Sequence, residues 1–323
     1  MTTTVAAIVI GRNEGDRLVR GLASLREVGR VIYVDSGSTD GSQDAARAAG
    51  AELVPLDMSQ TFTAARARNA GLDHLRSSGA SPTLVQFMDG DCELQPGWLP
   101  AAIAILQSDP DLGVVFGRRR ERFPNATMYN RFCDWEWDVP VGEARACGGD
   151  ALMRMAALDA IGGYNPNFIA GEEPEMCVRL RAAGWTIRCI DHEMTLHDAA
   201  MTRFGQFWSR ARRAGHAWAE GAALHGALPE RHSVPETRKA LLWGFGVPAL
   251  ILLLCLIAGP IALALFAVYP ARAIRFWYRE GATAMAWERA LLLSVGKFPE
   301  ALGVLEFHLR RLAGRPRGLI EYK

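Results

Sequence analysis

VIYVDSGSTDGS, residues 31–42, decides the fold. The apolar run Val31–Val34 ends at Asp35, and a loop of small residues, Ser36-Gly37-Ser38, then feeds a helix beginning near Asp40 or Ser42. A strand, a tight loop and a helix start in twelve residues make half of a βαβ unit. Before it, Val5–Ile10 is an apolar run that stops at Gly11, and Arg17–Leu25 has helical spacing. After it, Ser42–Ala49 reads as a helix stopped by Gly50, and Glu52–Leu56 as a third strand. Alternation at such short intervals predicts an α/β fold with a mainly parallel sheet, its functional residues at the carboxyl ends of the strands.

The alternation continues. Thr63–Arg76 reads as a helix, Leu84–Met88 as a strand running into Asp89, and Gly97–Gln107 as a helix. Gly113–Phe116 starts another strand, and Cys147–Arg154 is irregular or β. Helices are expected at Ala156–Ile161, Glu173–Ala183 and Arg203–Leu224, with a strand at Thr186–Ile190.

Four places carry chemistry. Asp35 at a strand end can accept hydrogen bonds from a base or a ribose, although an ordinary Asx-capped turn uses the same residues. LVQFMDGDCEL, residues 84–94, delivers Asp89 and Asp91 around Gly90; two such carboxylates form a hard-oxygen site for Mg²⁺ or Mn²⁺. Aspartate and glycine are also common in strand-end turns. A dehalogenase-type phosphatase loop would have Thr or Val where Glu93 stands. GEEPEMCVRL, residues 171–180, sets Glu172 and Glu173 at a helix start, either as simple dipole-favoured acids or as a general base at a cleft. His197 is a candidate third metal ligand, and Arg68, beside Arg66 and Asn69 on one helix, a candidate phosphate contact.

Charge excludes one class of partner. Lys+Arg is 36 and Asp+Glu is 35, a net charge of +1, which is no footprint for nucleic acid. The basic stretch from Arg272 to Lys323 points to anionic lipid instead. None of the six cysteines falls in a CxxC pair, which fits a reducing compartment. The start, MTTTVAAIVIGRNEG, lacks a basic leader and cleavage site and reads as a first strand, so residues 1–230 are expected in the cytoplasm.

Residues 231–323 are expected to be membrane-associated. Residues 241–269 contain no charge, and Pro248 and Gly259-Pro260 interrupt the run. Arg272, Arg275, Arg279, Arg310, Arg311, Arg315, Arg317 and Lys323 follow, favouring a helical hairpin over a single kinked span, because Lys and Arg stay cytoplasmic. An amphipathic helix is expected around Ala290–Leu312.

Taken in order, IVIGRNEG, VDSGSTDGS, FTAARARNAGL, FMDGDCEL, GEEPEMCVRL and a downstream histidine resemble the family 2 glycosyltransferases of the GT-A fold, over roughly residues 5–225. The resemblance implies a sugar nucleotide, UDP-linked by first expectation, and an inverting transfer to a hydroxyl of a lipid-linked saccharide or growing polysaccharide. By the same resemblance Glu173 is the catalytic base. Arg12, Glu14, Asp35, Arg68 and Asp89 lie on the donor side, Asp150 and Glu172 on the acceptor side, and Asp89, Asp91 and His197 at the metal. The sequence departs from the family where Glu173 replaces the commoner Asp, Arg12 a frequent aromatic and Asp150 a common Asn. The setting implied is the inner membrane, with the catalytic domain facing the cytoplasm. Two further readings remain: a sugar-nucleotide pyrophosphorylase, poorly matched by IGRNEGDR, and a membrane-tethered scaffold with a silent site.

Overall fold

The computed structural model describes residues 3–79 and 82–314. In chain order its first elements are β1 (Val5–Gly11), α1 (Asp16–Ser24), β2 (Arg30–Asp35), α2 (Ser42–Ala48), β3 (Glu52–Pro55) and α3 (Ala64–Ser77). There follow β4 (Leu84–Asp89), β5 (Cys92–Leu94), α4 (Trp98–Ser108), β6 (Leu112–Glu121), α5 (Met128–Glu136), β7 (Gly142–Glu143) and β8 (Ala151–Arg154). Then come α6 (Met155–Ile161), α7 (Glu172–Ala182), β9 (Thr186–His197), α8 (Phe204–His225), α9 (Val234–Leu241), α10 (Val247–Ala258), α11 (Val268–Arg279), α12 (Ala284–Val295) and α13 (Lys297–Leu312).

The strands form one sheet in the order β3-β2-β1-β4-β8-β6-β9-β5, with β7 paired to β9. β1 to β4 are mutually parallel, and β6 runs parallel to β9; β8, β5 and β7 are the antiparallel members. This is the mainly parallel α/β sheet that the alternation predicts. β1 is buried on both faces, as a strand sandwiched between helix layers must be. Inside the core, Gln86 is fully buried, and an unpaired amide there would cost roughly 1–3 kcal/mol. It is paired: the indole N–H of buried Trp98 donates to Gln86 Oε1 at 2.8 Å, and Gln86 Nε2 donates to the Phe87 carbonyl at 2.7 Å.

Register brings the strand ends into line. Gly11 is opposite Asp35, and Ile10 is opposite Asp89, so β1, β2 and β4 finish together. Two of the expected elements take a different form. β9 does not stop at Ile190 but continues to His197, because Arg118–Glu121 of β6 pairs on with Glu193–His197 through a register shift. The expected helix around 290–312 is two helices, α12 and α13, which meet at Gly296. All six cysteines are free thiols.

The chain divides into two compact units, one reaching Phe123 and including Asp134–Ala199, the other comprising Pro124–Cys133 and the chain from Ala200 onward. The division thus falls before α8, whereas the sequence suggested 230. In the second unit α13 packs along α8, α10 packs against a 3₁₀ segment, Pro260–Ala267, and a π turn, Leu242–Gly246, precedes α10. Among the described residues one helix, Val234–Ala258, is long and apolar enough to cross a membrane. Arg315, Arg317 and Lys323 lie outside the described residues.

Candidate active site

Two loops hold the ends of β1 and β2 together. Asp35 Oδ2 accepts the N–H groups of Gly37 and Ser38, both at 3.0 Å, and the Gln43 amide at 2.7 Å, while the Tyr33 hydroxyl donates to Oδ1 at 3.2 Å. Asp35 is therefore buried and caps its own loop. Asn13 joins that loop to β1: its N–H donates to the Ser38 hydroxyl at 2.9 Å and its Oδ1 accepts from Thr39 N at 2.8 Å. Glu14 lies over the ends of β1 and β4, its Cγ 3.0 Å from where a Cβ on Gly11 or Gly90 would sit, and pairs with Arg17 at 2.9 Å. Arg12 is exposed on the same loop.

Arg68 is the hub of the site. It is buried on α3, and its guanidinium reaches Asp89 Oδ1 at 2.9 Å, Glu172 Oε1 at 2.8 Å and Glu173 Oε1 at 3.0 Å. Burial opposes its charge, but Glu173, Asp89 and Glu172 outweigh that and hold its pKa well above the ordinary value. Its Cζ stands 5.5 Å from the centre of the Tyr164 ring. Asn69, the next residue on α3, fixes Tyr164 by accepting from its N–H at 2.9 Å and donating to its carbonyl at 2.8 Å. Arg66 instead ties down the loop before α3 through the carbonyls of Asp57, Gln60 and Thr61.

The two glutamates differ in access. The Glu172 side chain is 5% exposed and that of Glu173 14%, so Glu173 has the freer face. Burial, and then the neighbouring Glu172 charge, push the Glu173 carboxyl up to about 7 against the pull of Arg68. A carboxylate that titrates near neutrality is suited to accept a proton there.

Asp150 holds the floor of the site. Its carboxylate is buried; Oδ1 accepts the Asp89 N–H at 2.9 Å, and Oδ2 takes the Thr195 hydroxyl at 2.7 Å and Arg119 at 2.8 Å. Arg119 also approaches Asp89 Oδ2 at 3.6 Å. Burial works against the Arg119 charge, but Asp150 above all keeps its pKa raised. Gly149 is required by close packing, since a Cβ there would lie 2.5 Å from Arg68 Nη2 and 2.9 Å from Asp89 Oδ2.

The candidate metal residues converge beside this network. β5 pairs with β9 so that Cys92 faces His197, and this short ladder sets His197 Nε2 3.2 Å from Asp91 Oδ2. Asp91, Cys92 and His197 can each present a ligand atom within 4.8 Å of the others. Burial, followed by the Arg119 charge, lowers the His197 pKa to about 4, so the imidazole is neutral and able to ligate. His197 Nδ1 is buried without a hydrogen-bond partner. Cys92 fits a hard ion poorly: burial, with Asp150, keeps its thiol protonated, and sulfur is a soft donor. Asp91 and His197 therefore fit Mg²⁺ or Mn²⁺.

The structure thus gathers Asp89, Asp91, Asp150, Glu172, Glu173, Arg68 and His197 at one end of the sheet, with Asp35, Glu14 and Arg12 on the neighbouring loops. Sequence reasoning missed Arg119, Thr195, Tyr164 and Trp137, whose ring lies 4.7 Å from His197 and 5.5 Å from Arg119. A signal for Arg119 exists in FGRRRE: in a strand, successive arginines alternate faces. Arg118 and Arg120 pair outward with Asp138, Asp191 and Glu193, leaving Arg119 inward.

Known proteins are similar to this chain in sequence and fold. The family described as Glycosyl transferase family 2 matches residues 6–157. Glycosyltransferase AglE of Haloferax volcanii is 24% identical over 234 residues, covering 67% of this chain and 74% of that protein. Succinoglycan biosynthesis protein ExoA of Rhizobium meliloti is 26% identical over 246 residues, covering 71% and 73%. Among solved structures, mannosyltransferase PcManGT from Pyrobaculum calidifontis, in complex with GDP-Man and Mn²⁺, superposes with a TM-score of 0.59 at 22% identity, covering 91% of this chain and 88% of that one. The chain thus has the GT-A fold and, over residues 6–157, is similar to the family 2 glycosyltransferases.

Proposed function

We propose that this enzyme moves a sugar from a nucleoside-diphosphate donor to a hydroxyl of a lipid-linked saccharide or growing polysaccharide, inverting the anomeric centre in one displacement. The observation that carries the proposal is the grouping of Asp89, Glu172 and Glu173 on one buried guanidinium, beside Asp91 and His197. The nucleoside would lie along the loops after β1 and β2, with Asp35 shaping its pocket, Arg12 and Glu14 beside it, and Asp89 at the ribose. Asp91 and His197 would hold Mg²⁺ or Mn²⁺, which supplies positive charge that stabilises a departing diphosphate. Glu173 takes the proton from the acceptor hydroxyl, and Glu172 holds Arg68 in place. Asp150 positions Asp89 and Arg119.

A UDP-sugar remains the first donor to test, with GDP-mannose second because PcManGT is bound to it. The polysaccharide acceptor is supported by the likeness to the succinoglycan biosynthesis protein ExoA. We infer that the reaction takes place at the cytoplasmic face of the inner membrane; the apolar helix and the basic flank that follows it support this reading. The test is nucleoside-diphosphate release from a panel of UDP- and GDP-sugars by the purified chain in detergent, with and without Mn²⁺. Metal-dependent turnover of one donor supports the proposal. Turnover of none would leave the silent scaffold as the better account.

A further inference from the structure

The second unit carries an apolar hairpin. α10 ends at Ala258, the chain reverses at Gly259, whose φ of +79° suits glycine, and Pro260–Ala267 packs back along α10. The return brings the Tyr269 hydroxyl to the Trp243 carbonyl and sets the Arg272 guanidinium 4.6 Å over the Trp243 ring. Tyr269 also stacks on Phe298 at 5.4 Å. The two arms therefore begin and end at one level, marked by three aromatic rings and an arginine.

The opposite end is bare. Leu256, Ile257 and Ile261, which bracket the reversal, are 84%, 76% and 79% exposed. Between Val247 and Tyr269 there is no charged residue, whereas Arg272, Arg275 and Arg279 follow at once. Arg272 Nη1 is buried without a hydrogen-bond partner, while the guanidinium as a whole is half-buried and feels the Glu300 carboxylate.

We propose that Val247–Ala267 inserts as a re-entrant hairpin into one leaflet of an anionic phospholipid bilayer, with Arg272 on a lipid phosphate, and that the chain leaves on the side it entered. Length supports one leaflet: twelve residues of α10 rise about 18 Å and eight 3₁₀ residues about 16 Å, roughly half of a 30 Å hydrocarbon core. The backbone suits lipid, because both arms are helical and the reversal keeps its bonds, Gly259 N to Cys255 O at 3.0 Å and Ala262 N to Gly259 O at 3.2 Å. Charge supports lipid rather than a second copy of the chain: the apolar tip sits on a collar of aromatic rings and arginines, as at a membrane interface. Val234–Ala258 is long enough to cross, but Arg272 beside Trp243 sets the water boundary midway along it. This inference does not depend on the catalytic reading.

The test uses the full chain. A reporter that fluoresces only in the cytoplasm is fused in turn to each end, and membranes are washed with carbonate. Fluorescence at both ends from a chain that stays in the washed membrane supports the hairpin. Alkaline phosphatase activity after Lys323 overturns it, and so does wild-type chain in the soluble fraction, whether monomeric or self-associated. Native Cys255, half-buried on α10, gives a check that needs no variant, since the other five thiols are buried. In intact or opened vesicles a water-soluble maleimide should leave Cys255 unlabelled until detergent is added; labelling without detergent overturns the proposal. The L256E/I257E chain should shift toward the soluble fraction by at least about tenfold while still releasing nucleoside diphosphate. Unchanged membrane retention of that folded variant counts against insertion.

Discussion

Arg68 and Glu173 form a buried ion pair, Nη2 to Oε1 at 3.0 Å, and the same nitrogen lies 2.9 Å from Asp89 Oδ1. One guanidinium therefore couples the candidate base to the donor-side carboxylate. Arg68→Met should destabilise the fold by about 3–5 kcal/mol, because three carboxylates lose their buried counter-charge. Arg68→Lys should recover only part of this, since one ammonium cannot span three carboxylates. Denaturant midpoints of the two variants check it, and an unchanged midpoint for Arg68→Met contradicts the hub.

The pH dependence follows from the same pair. Glu173 must be ionised to accept a proton, and its carboxyl is pushed up to about 7. Transfer should therefore rise with pH through neutrality and level off above it. Arg68 favours the ionised form, so its loss should move the rising limb to higher pH. A kcat/KM profile of wild type and Arg68→Met reads both; a limb near the ordinary carboxylate range in wild type contradicts the assignment.

Metal removal should abolish donor turnover in excess EDTA, with return on adding Mn²⁺ or Mg²⁺. Asp91→Asn should weaken nucleoside-diphosphate binding when metal is present and have little effect when it is absent. Full activity in chelator would remove the ion from the account.

Asp150 separates positioning from acceptor contact. Its oxygens are occupied by Asp89 N–H, Thr195 and Arg119. Asp150→Asn retains an acceptor for Asp89 but loses the charge opposite Arg119. We expect kcat to fall with acceptor KM nearly unchanged, and Asp150→Ala to be worse. A rise in acceptor KM alone would instead put Asp150 against the acceptor.

Much of the site was legible in the sequence because its residues end strands or start helices. Asp35, Asp89 and Asp91 follow apolar runs, and Glu172 and Glu173 open α7 after Gly171. What was not legible depends on pairing between distant segments. β5 is three residues long, too short to show a period, yet its ladder with β9 is what sets His197 beside Asp91. Arg119 and Thr195 meet Asp150 only because β6, β8 and β9 are neighbours in the sheet. α5 went unseen because its apolar stripe, Met128, Tyr129, Phe132 and Cys133, lasts barely two turns in MYNRFCDWE.

Glu173 is the residue proposed to take the acceptor proton. The most direct test of that role compares Glu173→Gln and Glu172→Gln with wild type, measuring sugar transfer and donor binding in the same preparation. Glu173→Gln keeps the shape of the side chain and removes the proton acceptor. Its transfer rate should fall by roughly 10²–10⁴-fold with donor affinity nearly intact, whereas Glu172→Gln should act mainly through Arg68 and lower stability. Normal transfer by Glu173→Gln, with Glu172→Gln inactive but folded, would contradict the account.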